Sequence, residues 1–496
     1  MIQGNPIRQV QRALRRRSIH DDLAYWGRRI ARLRRPPVEV RPLLWFLVSL
    51  LAAGTAAVAL LSAGLPREAA YMGGIFVLAG LLWVTEALPL FATALLVIGL
   101  EVVLIANPGG WAGLGFENGA SPPYQTFLAP LADPIIWLFL GGFLIAAAAV
   151  KEGVDQVLAG IVLRPFRGSP RRVMLGLMVV TAVFSMFMSN TATTAMMMTL
   201  LGPVLLQIPQ GDPARRGLLL SVPFAANIGG MGTPIASPPN AVAVGFLQQA
   251  GVEVSFLGWM LVAVPLAAAL LGAAWALLAG RYAPATPGLR LEAGGGHLDV
   301  RGAYVLGVIA VTILLWLTDQ LHGLPAAVVA LLPVIAFTAP GLLGRSDFNT
   351  LEWHILILIA GGIALGVGMQ VTGLDRAVVA AVPTTTVLVL APLVVATVLL
   401  STFMSNTAAA NLLLPVGIAL AASGAGPGAL EAGVAIALAA SVAMALPVST
   451  PPNAIAFAHG ELEARDLAVS GTAIGAIAVV LIVLFGGPII RFWLGA

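Results

Sequence analysis

Apolar runs about as long as the ~20 residues needed to cross hydrocarbon recur from residue 42 to the end of the chain. They restrict it to one fold class, because lipid tolerates only structures whose backbone polar groups pair internally. Of the 496 residues, 59% are hydrophobic and 10% charged, against roughly 25% charged in a soluble domain. A β-barrel would show alternating ~10-residue segments, and the sequence has none. The reading is an all-α polytopic membrane protein embedded in a lipid bilayer.

Eleven spans are expected, near 42–62, 69–88, 90–106, 132–150, 216–248, 256–280, 302–320, 323–341, 353–371, 428–458 and 467–492. Two more apolar stretches, 173–208 and 384–422, are too long for one crossing, and each carries a polar phrase near its middle. The 16 residues from Val173 to Met188 would reach only roughly 24 Å as a helix. Both stretches are therefore read as re-entrant helical hairpins. With the N-terminus in the cytoplasm, this topology puts 23 Lys and Arg inside and only Arg67, Arg376 and Arg491 outside, as the positive-inside rule requires. Eleven of the basic residues lie in the first 41, a cytoplasmic tail whose Tyr25, Trp26, Ile30 and Leu33 could line a surface helix. A bacterial-type inner membrane is the expected location. The chain has no cysteine, which removes disulfides, thiolate metal sites and thiol nucleophiles.

Three blocks recur in the same order. "WLFLGGFLIAAAAVKEGVD" at 137–155 returns as "ILIAGGIALGVGMQVTGLD" at 357–375, "MSNTATTA" at 188–195 as "MSNTAAAN" at 404–411, and "MGTPIASPPNAVAVG" at 231–245 as "ALPVSTPPNAIAFAHG" at 445–460. Five spans separate the fourth from the ninth, an odd number, so the copies have opposite orientation. Inverted repeats mark secondary transporters with a midplane site between the halves.

The hairpin tips offer carbonyls, hydroxyls and an amide oxygen, hard ligands suited to a small hard cation. Helix-starting N–H groups beside them suit an anion. A single Ser-Asn-Thr would be read as polar glue between helices; two at equivalent places in an inverted repeat point to a site. "SPPN" at 237–240 and "TPPN" at 450–453 break two spans, freeing carbonyls at Ala236 and Ser449, while Asn240 and Asn453 can cap the resuming helix or bond the loop. No Lys, Arg, Asp or Glu lies in these four elements, so a bound anion would need cations and oriented dipoles to balance it. HExxH, GxSxG and P-loop motifs are absent, and the chain is not read as an enzyme. Glu86 and Asp319, near span ends beside Pro, are read as structural or interfacial, with proton coupling as the alternative. His354 is read as interfacial.

The paired "SNT" tips, the "SPPN" and "TPPN" breaks and "WVTEALP" resemble the divalent anion/sodium symporter (DASS) family over residues 42–492. The resemblance implies a homodimer of elevator-type protomers that carry sodium together with a small dianion. C4-dicarboxylates such as succinate, malate or fumarate lead. Sulfate transport or sodium-independent exchange are the alternatives, and an arsenite permease or sodium/proton antiporter stands further off. It assigns a first sodium site to Ser185, Ser189, Asn190 and the Ala236 carbonyl. A second falls to Ser401, Ser405, Asn406 and the Ser449 carbonyl. The substrate would meet Ser189, Asn190 and Thr191 on one side and Ser405, Asn406 and Thr407 on the other, with Ser237, Pro238, Thr450 and Pro451 completing the pocket. Scaffold spans would occupy 42–131 and 256–351, transport elements 132–255 and 352–466, and a final span 467–496. Sodium is the only expected cofactor, as cargo, and no nucleic acid is expected. The unequal "TATT" and "TAAA" tails of the tips are where substrate preference is expected to differ from perfect symmetry.

Overall fold

The computed structural model describes residues 40–166, 168–285, 288, 297–381, 390–422 and 428–494. Nearly all of the basic tail, Arg167, Arg290 and residues 384–389 of the second hairpin lie outside the described residues. The described residues form helices and no strand.

In chain order the first repeat comprises α1 (Val40–Ser62), α2 (Arg67–Thr85), α3 (Leu90–Leu100), α4 (Pro134–Lys151), α5 (Val154–Leu163), α6 (Pro170–Ser185), α7 (Asn190–Leu205), α8 (Pro213–Gly229) and α9 (Pro238–Gln249). The second comprises α10 (Phe256–Arg281), α11 (Val300–Leu317), α12 (Leu331–Thr338), α13 (Trp353–Thr372), α14 (Leu374–Ala381), α15 (Leu390–Phe403), α16 (Asn406–Ala422), α17 (Ala429–Ser441), α18 (Pro451–Phe457) and α19 (Ala464–Leu494). Seven helices among the described residues are long and apolar enough to cross a membrane. The other expected spans are composite. The third passes from α3 into a π-helix, Glu101–Ala106; the eighth divides into Ala326–Val329 and α12; and the two proline-bearing spans are broken into α8/α9 and α17/α18.

Helix starts follow local chemistry. Asp133, Ser169 and Asp212 each accept a backbone N–H in the first turn with proline next in line, pairing an N-cap oxygen with a residue that has no donor to waste. Ser255 and Asp299 cap α10 and α11 in the same way. Two short helices, α5 and α14, were not expected. Each follows a left-handed glycine, Gly153 (φ 65°) and Gly373 (φ 72°), at the "GVD" and "GLD" ends of the first repeated block. Asp155 and Asp375 bond the next backbone N–H in both.

The repeated glycine pairs explain how the halves interlock. A Cβ on Gly141 of α4 would stand 2.6 Å from the Ala330 carbonyl beside α12, and one on Gly361 of α13 would collide with the backbone of Ala94 in α3. Each repeat thus presses its glycine helix onto a span of the other repeat, at a distance only glycine permits. Central α13 is mostly buried, whereas α1 buries only Ser49 and Ala53 and leaves an apolar face outward.

Candidate ion and substrate site

Each hairpin is two half-helices joined by a short turn. Among the described residues α6 and α7 have 16 residues each, α15 has 14 and α16 has 17, so none of these described arms exceeds about 26 Å at 1.5 Å per residue. That is short of the ~30 Å hydrocarbon core. At both tips the serine carbonyl opens the second arm: Thr193 N–H donates to Ser189 O and Ala409 N–H to Ser405 O, at 2.9 and 3.0 Å. The Ser189 hydroxyl makes no cap bond to the helix and stays available. Ser189, Asn190, Thr191, Ser405 and Asn406 are half-buried, while Thr407 is buried.

A hydroxyl one turn before each tip binds it to the neighbouring broken helix. Ser185 Oγ donates to Asn190 Oδ1 at 2.5 Å and to the Ala226 carbonyl at 2.7 Å. Ser401 Oγ repeats this with Asn406 Oδ1 at 2.7 Å and the Ala440 carbonyl at 2.8 Å. Both serines are fully buried. The Asn190 amide lies against Gly230, where a Cβ would approach Nδ2 to 2.5 Å. The turn is tied again by Thr233 Oγ1 donating to the Met186 carbonyl and by Ser449 Oγ donating to that of Thr402.

Asn240 and Asn453 bond the loop backbone. Asn240 Nδ2 reaches the carbonyls of Gly230 (2.9 Å) and Thr233 (2.8 Å), and Asn453 Nδ2 those of Met444 and Leu446 (both 2.9 Å). Ala236, Ser237, Ser449 and Thr450 are buried, Pro238 is half-buried and Pro451 is exposed. The four polar elements pack crosswise, α7 and α8 against α18 and α16 and α17 against α9. Direct bonds cross between repeats: Asn227 Nδ2 donates to Thr450 Oγ1 at 3.1 Å, and Ser237 and Ser441 hydroxyls pair at 3.2 Å. Asn227 and Ser441 were not among the expected site residues. A lone Asn in "PFAANIGG" gives no local sign of a partner 223 residues away.

The acids named from sequence take no part in this hydrogen-bonded network. Glu86 is the exposed, left-handed C-cap of α2 (φ 50°). Asp319 is half-buried in a one-turn helix after α11, and His354 is exposed. The fully buried acid of the third span is instead Glu101, whose two carboxyl oxygens have no hydrogen-bond partner and one of which, Oε1, lies against Gly368. Its signal was a lone charge inside the apolar run 90–106. Away from the tips, a cavity of about 770 Å³ is lined by Asp212, Arg215, Arg216, Arg281, Tyr282 and Asp466 among others. Arg215 pairs there with Glu461, and Asp466 accepts from Tyr282 at 2.9 Å. Its cations and acids are largely matched, and it shares no residue with the tips.

The sequence profile of the citrate transporter family (CitMHS) matches residues 80–432 and 313–494. The chain belongs to that family. As a citrate-transporter-family member of the DASS type, it is 31% identical to an uncharacterized transporter of Haemophilus influenzae, over 87% of this chain and 94% of that one. It is 30% identical to the sodium-dependent dicarboxylate transporter SdcS of Staphylococcus saprophyticus, over 83% and 85%. An uncharacterized transporter of Schizosaccharomyces pombe is 30% identical over 84% of this chain, which spans about half of that longer protein (49%). The crystal structure of the Alcanivorax borkumensis YdaH transporter superposes with a TM-score of 0.53 at 15% identity, covering 84% of this chain and 98% of that one. This family member is a multi-pass membrane transport protein rather than an enzyme.

Proposed function

We propose that this transporter couples sodium entry to uptake of small dianions, C4-dicarboxylates foremost, through an elevator movement of the 132–255 and 352–466 elements against the remaining spans. The observation that carries the reading is the duplicated Ser–Asn unit, Ser185–Asn190 and Ser401–Asn406, at two hairpin tips that hold no charged side chain. Such tips offer amide, hydroxyl and carbonyl oxygens to sodium, and the first N–H groups of α7 and α16 to carboxylates. With no fixed cation, a bound dianion must be neutralised by mobile ones. At about 4 Å and an effective dielectric near 20, one sodium attracts one carboxylate by about 4 kcal/mol, so each ligand binds poorly without the other. That dependence is the coupling. The SdcS relatives support sodium and dicarboxylate as cargo, and the family's citrate transport supports a tricarboxylate arm in the test. Homodimerisation and a cytoplasmic N-terminus complete the proposal.

Purified protein in liposomes, offered succinate, citrate and sulfate with and without an inward sodium gradient, tests it. Succinate should accumulate only with sodium, and Asn190→Ala and Asn406→Ala should each abolish accumulation in folded protein. Sodium-driven uptake at the normal rate by either variant removes the tips from the site. Uptake indifferent to sodium removes the coupling.

A further inference from the structure

The two proline breaks resemble one another in sequence, but their hydroxyls are set differently. Thr450 Oγ1 accepts from Asn227 Nδ2 at 3.1 Å and from the backbone N–H of Asn453 at 3.3 Å. A threonine hydroxyl has two acceptor positions and one proton. Both acceptor positions being filled, that proton is left to be donated elsewhere.

At the equivalent place in the first repeat the direction reverses. Ser441 Oγ, which occupies the position matching Asn227, donates to the Ala437 carbonyl at 3.1 Å. Either hydroxyl could be the donor in its 3.2 Å pair with Ser237 Oγ; with the Ser441 proton on Ala437, Ser237 donates there and presents its lone pairs. Ser237 makes no cap bond to α9, unlike Thr450 with Asn453, so those lone pairs are free of backbone. Nearby, Asn240 Oδ1 is buried with no partner. The matching Asn453 Oδ1 accepts from Asn227 Nδ2 at 3.4 Å. Serine is too short to reach Asn240 as Asn227 reaches Asn453.

We infer that Asn227 and Ser441 are positioning residues that give the two breaks opposite polarity, so that Thr450 donates its proton to the substrate carboxylate and Ser237 turns lone pairs toward a cation. The inference rests on the dianion site proposed above and deepens it: the pocket is chemically directional although its sequence is duplicated. Substrate is held by its carboxylate from the second repeat's break, and sodium is favoured on the first repeat's side. Asn227 thereby sets substrate affinity without touching substrate.

The test uses full-length protein in liposomes, with thermal unfolding as the check on folding. Hydrogen bonds to charged groups are the stronger class, so Asn227→Ser is expected to raise the KM for succinate about tenfold at saturating sodium, with sodium half-saturation moving less than twofold. Ser441→Ala, which frees the Ser237 proton, is expected to do the converse. Thr450→Val should weaken succinate as much as Asn227→Ser does, and the double variant Asn227→Ser/Thr450→Val should be no worse than Thr450→Val alone. Additive losses in the double variant would overturn the inference, as would an Asn227→Ser protein that shifts sodium and succinate equally. If Thr450→Val leaves succinate affinity intact, the site itself is misplaced. If it weakens succinate while Asn227→Ser is silent, only the directional inference fails.

Discussion

Ser401→Ala is the substitution whose effect the geometry fixes most closely. The side chain is fully buried and its one proton is shared between Asn406 Oδ1 at 2.7 Å and the Ala440 carbonyl at 2.8 Å. Truncation strips a donor from both acceptors at once. Leaving a buried acceptor unpaired costs about 1–3 kcal/mol, and one of these acceptors is the proposed ion ligand. If about 1.4 kcal/mol of that appears in sodium binding, affinity falls about tenfold. Sodium stabilisation then drops in a calculable way. At a sodium concentration ten times the unmodified dissociation constant, the stabilising increment is about 1.4 kcal/mol, and it falls to about 0.4 kcal/mol in the variant. Thermal unfolding against sodium, with choline replacing it, reads this directly, and sodium activation of succinate uptake gives the kinetic counterpart. Ser185→Ala should behave alike, because its bonds match at 2.5 and 2.7 Å. Were both variants to fold and keep their sodium half-saturation within twofold, the hydroxyls would not organise ion sites.

Gly361→Ala places a methyl against the Ala94 backbone, so overpacking of about 3 kcal/mol outweighs the helix-propensity gain of about 1 kcal/mol. Gly272→Ala, with open space around it in α10, should stabilise by up to about 1 kcal/mol, and denaturation in detergent will show whether the two signs differ. The Arg215 guanidinium donates to both Glu461 oxygens and holds that carboxyl below its ordinary 4.5. A depressed value means its stabilisation is present above pH 4.5 and is lost as pH falls through the folded value. Glu461→Gln should therefore cost about 1–2 kcal/mol at pH 7, with the gap to the unmodified protein closing below pH 4.5; a gap independent of pH would contradict the pairing.

What could be read from sequence was whatever repeats or breaks. The hairpins follow from run lengths, the broken helices from consecutive prolines, and the tips from a polar phrase in an apolar setting, because each is a local signal. The π-helix at Glu101–Ala106 has no local signature. Helices α5 and α14 fall outside every expected span because each is short and follows a glycine turn. Asn227 was invisible for another reason: its role exists only once two segments far apart in sequence are packed together. Glu86 and Asp319 stand out in sequence as acids near span ends, with Pro beside them favouring a structural role, whereas the fully buried acid of these spans is Glu101.

The cross-repeat bonds bear on how the chain is made. Asn227 waits for a partner 223 residues further along, and at roughly 5–20 residues per second that is about 10–45 s of synthesis. Throughout that interval Asn227 and Ser237, on the broken span of the first repeat, sit in or beside the bilayer without the partners they meet in the finished fold. Insertion machinery must shelter an unfinished polar core, and the second repeat, on emerging, acts as the chaperone of the first.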